Sequence, residues 1–324
     1  MTGQSQIWFN GRLVPAEEAV VPVTAHALHY GSSVFEGIRA YATGQGPAVF
    51  CLPQHVRRLF DSCRMLRIEL PYTPVQITEA IAQTVRANGH DSCYIRPLVF
   101  RGPGTFSLDP RTASVEVAVI TFPWGRYLGK DAIEQGVDVM VSSWRRAAPG
   151  TAVPMGKIGG QYVTSQFIAM EAADHGFVEG IALDAQGFIS EGSGENVFAV
   201  KDGVVYTPPL SGAILPGVTR GVVLTLLGDV GMPVREEPML REFLYVADEV
   251  FFTGTAAEVT PVRSVDRIPV GAGTRGPITA KVQEQFFGIT EGRLPDRHGW
   301  LTYARDGSGA TPRVGEQAKV QRTS

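Results

Sequence analysis

The chain has 324 residues, of which 44% are hydrophobic and 19% charged, and carries a formal net charge of −3. That length allows two domains with a core each, and the balance of apolar and charged residues excludes a largely disordered chain. Weak negative charge without a dense Lys/Arg run excludes a broad electrostatic surface for nucleic acid, and no apolar run nears the roughly 18 residues that cross a bilayer.

Cys51, Cys63 and Cys93 are widely spaced, which fits reduced thiols and neither a disulfide framework nor a zinc site. The opening MTGQSQIWFNG lacks a basic region followed by an apolar core, so a cytoplasmic protein is expected, with no membrane or nucleic-acid partner and no metal.

In chain order, Ile7 to Asn10 reads as a strand, Asn10-Gly11 as a turn, and Leu13-Val14 and Val20 to Val23 as extended. Phe50 to Leu52 is short and apolar. In QHVRRLFDSCRML, Val56, Leu59, Phe60 and Cys63 fall at helical spacing, and VQITEAIAQTVRANG repeats the pattern up to a stop at Asn88-Gly89. Tyr94 to Phe100 and Val115 to Phe122 read as strands around the turn-rich RGPGTFSLDP.

The character turns polar from Trp124 to Gln135, the expected boundary between a smaller N-terminal domain (1–125), a linker (126–136) and a larger C-terminal domain (137–301). Strands are expected at Val137 to Val141, Gly180 to Asp184, Asn196 to Lys201 and Val204 to Tyr206, with helices from Tyr162 to His175 and in PGVTRGVVLTLLGDVG. Short strands alternating with helices point to a mixed α/β (α+β) architecture. Apolar periodicity is lost after Leu301, so 302–324 is expected to be a mobile tail.

The lysines carry the chemical argument. Only five occur, at 130, 157, 201, 281 and 319. Lys157 alone lies between a proline and a glycine pair, in PMGKIGGQY, where small residues let a flat ring approach the backbone. A lysine that loses hydration there becomes a neutral amine able to form a Schiff base with an aldehyde. Downstream, GIALDAQGFISEGSGENVF offers a carboxylate in a turn of small residues, with Glu191 the candidate and Glu195 its competitor. A lysine and a carboxylate serve one cofactor, pyridoxal 5'-phosphate, whose pyridine nitrogen needs a fixed acid partner. Its phosphate needs N–H donors, which the glycine turn and helix start in ILPGVTRGVV supply at Val218 and Thr219. Tyr94 and Arg96 in YIRPL alternate with Ile95, so both point to one face of a strand. An inward arginine is costly there without an anion.

Seven motifs in one order, HALHYGSSVFEGIRAY, YIRPL, FPWGRYLG, PMGKIGGQY, the Glu191 segment, ILPGVTR and FFTGTAAEVTPVRSVD, run from about Ile7 to Leu301. In these the chain resembles the branched-chain amino-acid aminotransferases, pyridoxal-phosphate enzymes of fold type IV. The resemblance implies a small α/β sandwich joined to a larger barrel-like domain, and transamination of L-leucine, L-isoleucine and L-valine with 2-oxoglutarate. It implies Lys157 as the catalytic lysine, Glu191 as the pyridine partner, with Glu195-Asn196 a structural remainder, and Tyr162 beside the Schiff base.

Arg58 and Thr255 join Val218 and Thr219 at the phosphate by the same resemblance, although spacing from Val56 puts Arg58 nearly opposite the apolar stripe and reads as a solvated arginine. For the substrate it implies Tyr94, Arg96 and the backbone at Ala256 and Ala257 for carboxylates, and Phe35, Gly37, Trp124, Tyr127 and Tyr30 as a wall. Tyr30, Leu108 and Tyr127 are placed at a homodimer interface. Many relatives carry a Gly-Val or Gly-Leu pair where this chain has Phe106-Ser107-Leu108. The alternatives are a D-amino-acid or (R)-amine transaminase, a lyase of the aminodeoxychorismate type, and an idle cofactor-binding protein; Tyr30, Phe35, Tyr94 and Arg96 weigh against the rival enzymes.

Overall fold

The computed structural model describes residues 5–125, 127–129 and 131–304. Among these, eight strands form a first sheet, ordered Leu301–Tyr303, Gly46–Phe50, Ile38–Thr43, Cys93–Arg101, Val115–Phe122, Gln6–Phe9 and Arg12–Pro15, with Ser33–Phe35 also pairing on Cys93–Arg101. Helices Leu52–Met65 and Pro74–Asn88 cover one face. Their apolar stripes, Leu52, Val56, Leu59 and Ile77, Ile81, Val85, meet Ile38, Ile95, Val99 and Val117 in one core. The second helix begins with a capping box, Thr73 and Gln76 each accepting the other's backbone N–H, and ends at Gly89 with φ +63°. That left-handed conformation is what glycine adopts without steric cost.

The chain then passes to a second sheet. There, strands Ile189–Gly192, Glu179–Leu183, Val137–Arg145, Glu258–Val265, Glu249–Gly254 and Asn196–Lys201 are successive neighbours. Ile189–Gly192 also pairs with Asn196–Lys201, through Glu191 and Asn196, so the six strands close into a barrel. Alternate residues along Asn196–Lys201 feed two cores, as strand geometry requires. Val197 and Ala199 join Val139, Ile181 and Phe252 in one. Phe198 and Val200 join helices Val218–Asp229 and Pro277–Thr290 in the other. This outer core also takes in Tyr41, Phe50 and Trp300, so it welds the two sheets together.

Three expectations change. Leu301–Tyr303 is a strand whose residues pair with Phe50, Val49 and Ala48, so the ordered chain continues past 301 and returns to the first sheet. Three residues are too few to show a periodicity. Residues 305–324 of the expected tail lie outside the described part. Val20 to Val23 form no strand and stand largely exposed, Val20 at 69% and Val23 at 81%. Helix Pro277–Thr290 and strands Glu249–Gly254 and Glu258–Val265 are additions. Pro277 in the first turn and Val282, Phe286 and Ile289 at helical spacing were the readable signals for that helix.

Phe286 is fully buried and packs edge-on against Phe50 across the weld, with ring centroids 5.5 Å apart. Phe286→Ala should therefore lower stability by about 3–5 kcal/mol, measured as a fall in the urea midpoint with helix and strand content retained.

Candidate active site

A cavity of about 170 Å³ opens where the two sheets meet, lined by Gly37, Arg58 and Tyr94 from the N-terminal part and by Lys157, Glu191 and the turns at Gly217 and Gly254 from the rest. Lys157 reaches it because its backbone is gripped by the first sheet and the helix covering it. Its N–H donates to Ser62 Oγ at 3.0 Å, and its carbonyl accepts from Phe35 N at 3.1 Å. A Cβ on Gly31 would stand 2.6 Å from Gly160 Cα, so the close approach behind the lysine needs small residues. The turn Gly159–Gln161 then starts helix Tyr162–Asp174, which puts Tyr162 Oη 2.7 Å from Lys157 Nζ. Lys157 is half-buried, while Lys201 pairs outside with Asp248 at 3.2 Å and Lys281 is exposed. Lys130 and Lys319 fall outside the described residues.

Glu191 is buried on the strand Ile189–Gly192 rather than in a turn; the turn is made by Ser193–Glu195. Oε2 accepts from Asn196 Nδ2 at 3.1 Å and from Leu215 N at 3.0 Å, and Oε1 faces Arg146 Nη2 at 3.4 Å. Burial raises the carboxyl above its ordinary range, and the opposing charge of Arg146 limits the rise. Asn196 is thus more than a structural remainder of the motif. Glu195 also lines the cavity, but burial first and then the charge of Glu179 push its carboxyl far up, whereas at Glu191 the facing Arg146 works against the rise. Arg146 went unread in the sequence. It lies in an undistinguished SSWRRAA run and is recruited by Ser165 Oγ at 2.9 Å and the carbonyls of Gly192 and Ser193.

At the other end, Val218 and Thr219 occupy the first turn of helix Val218–Asp229, where N–H groups have no intrahelical acceptor. Thr255 and Ala256 line the facing turn, and Arg58 reaches in from helix Leu52–Met65. The solvated reading of Arg58 fails. Its side chain is 11% exposed, and it lies three residues after His55 and four before Ser62, both buried. The buried face of that helix therefore has a polar edge that a count of apolar residues misses. Thr253 Oγ1 is buried on the cavity wall without a partner. A lysine, a directed carboxylate, open N–H groups, a guanidinium and an unsatisfied hydroxyl around one cavity suit a flat, phosphate-bearing aromatic aldehyde.

Tyr94 and Arg96 do share a face, with Arg96 Nη2 3.4 Å from Tyr94 Oη and the guanidinium 4.7 Å from the Phe35 ring centre. Arg96 Nε is buried without a partner. Trp124 packs on Tyr94 at 4.5 Å between centroids, and Tyr127 on Trp124 at 5.7 Å.

A family model described as amino-transferase class IV matches residues 33–265. A branched-chain-amino-acid aminotransferase of Escherichia coli (strain K12) is 51% identical over 296 residues, 91% of this chain and 96% of that protein. The chain belongs to the class IV aminotransferases, among the branched-chain-amino-acid aminotransferases. The crystal structure of an E. coli branched-chain amino acid aminotransferase superposes with a TM-score of 0.92 at 50% identity, covering 93% of this chain and 100% of that one. A branched-chain amino acid aminotransferase from Thermobaculum terrenum, solved in its PLP-form, gives 0.88 at 32%, covering 94% and 100%.

In this aminotransferase, Gly37, Arg58, Tyr94, Lys157, Tyr162 and Glu191 line the cavity, as do Val218, Thr219, Thr255 and Ala256. Phe35, Arg96 and Trp124 stand just behind that wall. Four more expected residues do not line it. Ala257 is buried away from it, and Tyr30 and Leu108 are 47% and 82% exposed on the surface, Tyr30 Oη donating to Phe106 O at 3.1 Å. Tyr127 is also 42% exposed. Local sequence places a side chain on an element but not on a cavity, which packing defines.

Gly37 has a steric duty beyond the wall: a Cβ there would fall 1.9 Å from Tyr94 Oη. Gly37→Ala should displace Tyr94 and raise KM for amino donor and 2-oxo acid by ~10–100-fold, with cofactor absorbance unchanged; steady-state kinetics and spectra read both.

Proposed function

We propose that the protein transfers the amino group of L-leucine, L-isoleucine and L-valine to 2-oxoglutarate, giving branched-chain 2-oxo acids and L-glutamate, with pyridoxal 5'-phosphate as cofactor. The observation that carries this reading is Lys157 and Glu191 on one cavity, each fixed by its own partners. Bound there, pyridoxal phosphate supplies an aldehyde for the lysine and a protonated ring that takes up the electron pair released when the substrate α-proton leaves.

The remaining work belongs to the chain. Lys157 Nζ, released when the amino acid takes its place, carries the proton to and from the substrate α-carbon. Tyr162 Oη, 2.7 Å away, orients that amine. Glu191 would hold the proton on the pyridine nitrogen, its carboxyl fixed by Asn196 and the N–H of Leu215 and faced by the opposing charge of Arg146. Arg58, Thr255 and the N–H groups of Val218 and Thr219 hold the phosphate. Arg96 and Tyr94 receive a carboxylate, with the backbone at Ala256 assisting and Phe35 and Trp124 as apolar wall. A pocket with both kinds of surface accepts glutamate and leucine in turn.

We further infer a cytoplasmic homodimer. Tyr30, Leu108 and Tyr127 carry exposed apolar surface, suited to meeting a second copy. The buried free thiols Cys51, Cys63 and Cys93 fit a reducing compartment. No described helix is long and apolar enough to cross a membrane.

Lys157→Ala should abolish turnover while the chain remains folded. Borohydride reduction of the cofactor-loaded protein followed by peptide mapping should fix the cofactor on the peptide containing Lys157; attachment at any other lysine refutes the assignment. A donor panel with 2-oxoglutarate checks the substrate class. The three branched-chain L-amino acids should react at least ~10²-fold faster than D-alanine or (R)-1-phenylethylamine, since a donor without a correctly placed carboxylate leaves the half-buried Arg96 without an anion. The reverse order of rates points to the D-amino-acid or (R)-amine class.

A further inference from the structure

The polar edge of helix Leu52–Met65 carries an arrangement that the reaction described above does not use. Glu36, fully buried between Phe35 and Gly37, takes one whole edge of the Arg58 guanidinium: Nε to Oε1 at 2.7 Å and Nη2 to Oε2 at 2.9 Å. His55, 2% exposed, donates from Nδ1 to the same Oε2 at 2.7 Å. The opposite corner of the guanidinium, Nη1, donates to the carbonyl of Pro216 at 3.0 Å, one residue ahead of the helix start at Gly217. Glu36 itself is registered on the strand that bears Tyr94 and Arg96, since its N–H donates to Pro97 O at 2.9 Å.

We propose that Glu36, with His55 behind it, is the positioning residue for the phosphate end: it locks the plane and reach of Arg58 and ties that end to the substrate wall. A two-bond fork fixes a guanidinium in orientation as well as place, which a single charge contact does not. Burial lowers His55 below its usual range, so it stands as a neutral donor and leaves the negative charge of Glu36 to Arg58. The carboxyl of Glu36 lies far below its ordinary value: burial opposes this, and Arg58 and His55 overcome it.

Charge and position make opposite forecasts. A carboxylate beside a phosphate dianion repels it, so if Glu36 were only a counter-charge, removing it would tighten binding of any phosphate-bearing cofactor. If it positions Arg58, removing it weakens that binding, and weakens it only for ligands that carry the phosphate. The inference rests on the reading of Arg58 as a phosphate ligand, and the experiment separates the two.

Full-length apoprotein of the wild type, Glu36→Gln and Arg58→Met is titrated with pyridoxal phosphate and, separately, with pyridoxal, while circular dichroism follows the fold. Arg58→Met should lose affinity for pyridoxal phosphate and not for pyridoxal; an unchanged ratio removes Arg58 from the phosphate and the proposal with it. Given that loss, Glu36→Gln should weaken pyridoxal phosphate ~10–100-fold with pyridoxal little altered, and adding it to Arg58→Met should cost nothing more. Tighter pyridoxal phosphate binding, or equal weakening of both ligands, overturns the positioning role while leaving Arg58 in place. Should Glu36→Gln fail to fold, His55→Gln, which keeps the ion pair, should show the same phosphate-selective loss at ~3–10-fold, and a non-selective loss there is equally fatal.

Discussion

Glu191 and Asn196 face each other across the last pairing that closes the barrel, and the same two residues form one end of the cavity. The Asn196 amide donates both to Glu191 and to the carbonyl of Leu215, so one side chain holds the strand seam, the carboxylate and the approach to helix Val218–Asp229. Gly217, at the start of that helix, has no room for a Cβ, which would lie 1.9 Å from Asn196 Oδ1. Closing the sheet and aiming the carboxylate are therefore a single packing event. A barrel seam is a fitting place for such a group, because backbone pairing on both sides immobilises it before any ligand arrives.

Around that seam the charges are sorted by desolvation. Glu179, Glu191 and Glu195 are all buried, with Arg146 as the guanidinium among them. Glu191 meets it at 3.4 Å, whereas Glu179 is served by Ser193 and the N–H of Gly180 and Glu195 by the N–H of Gly194. Buried carboxylates this close cannot all remain ionised. Burial raises all three; the charge of Arg146 works against the rise at Glu191, while the charge of Glu179 adds to it at Glu195. The position of a single arginine thus sets three chemically identical groups apart.

The far side of the cavity depends on the weld between sheets. Phe50, Tyr41 and Trp300 share a core with Phe198, Phe251 and Phe286, and the Lys157 segment is bonded to Ser62 and Phe35. Tyr41 Oη also donates to Glu258 Oε1 at 3.0 Å, and Arg39 donates to the carbonyls of Trp124 and Gly125. Lys157, Glu191 and Arg58 come from different parts of the chain, and rigid seams of this kind hold such groups in fixed relative positions before any ligand arrives.

Much of this was legible in the chain itself. Helix Leu52–Met65 was legible through apolar spacing, helices Pro74–Asn88, Tyr162–Asp174 and Val218–Asp229 through apolar pattern and glycine stops, and the shared face of Tyr94 and Arg96 through alternation. Lys157 stood out as the one lysine between a proline and a glycine pair, and Glu191 as one of two acids in a segment of small residues. Those signals are local, set by backbone preferences within a few residues. Other features carry no local mark: the fork of Arg58 on Glu36 across 22 positions, its bond to Pro216 across 158, the choice of Arg146 as the partner of Glu191, and the surface placing of Tyr30 and Leu108. Each depends on which groups lose water together when two sheets pack. Desolvation is a property of the assembled cavity, so only the tertiary structure decided which side chains belong to it and which of them stay charged.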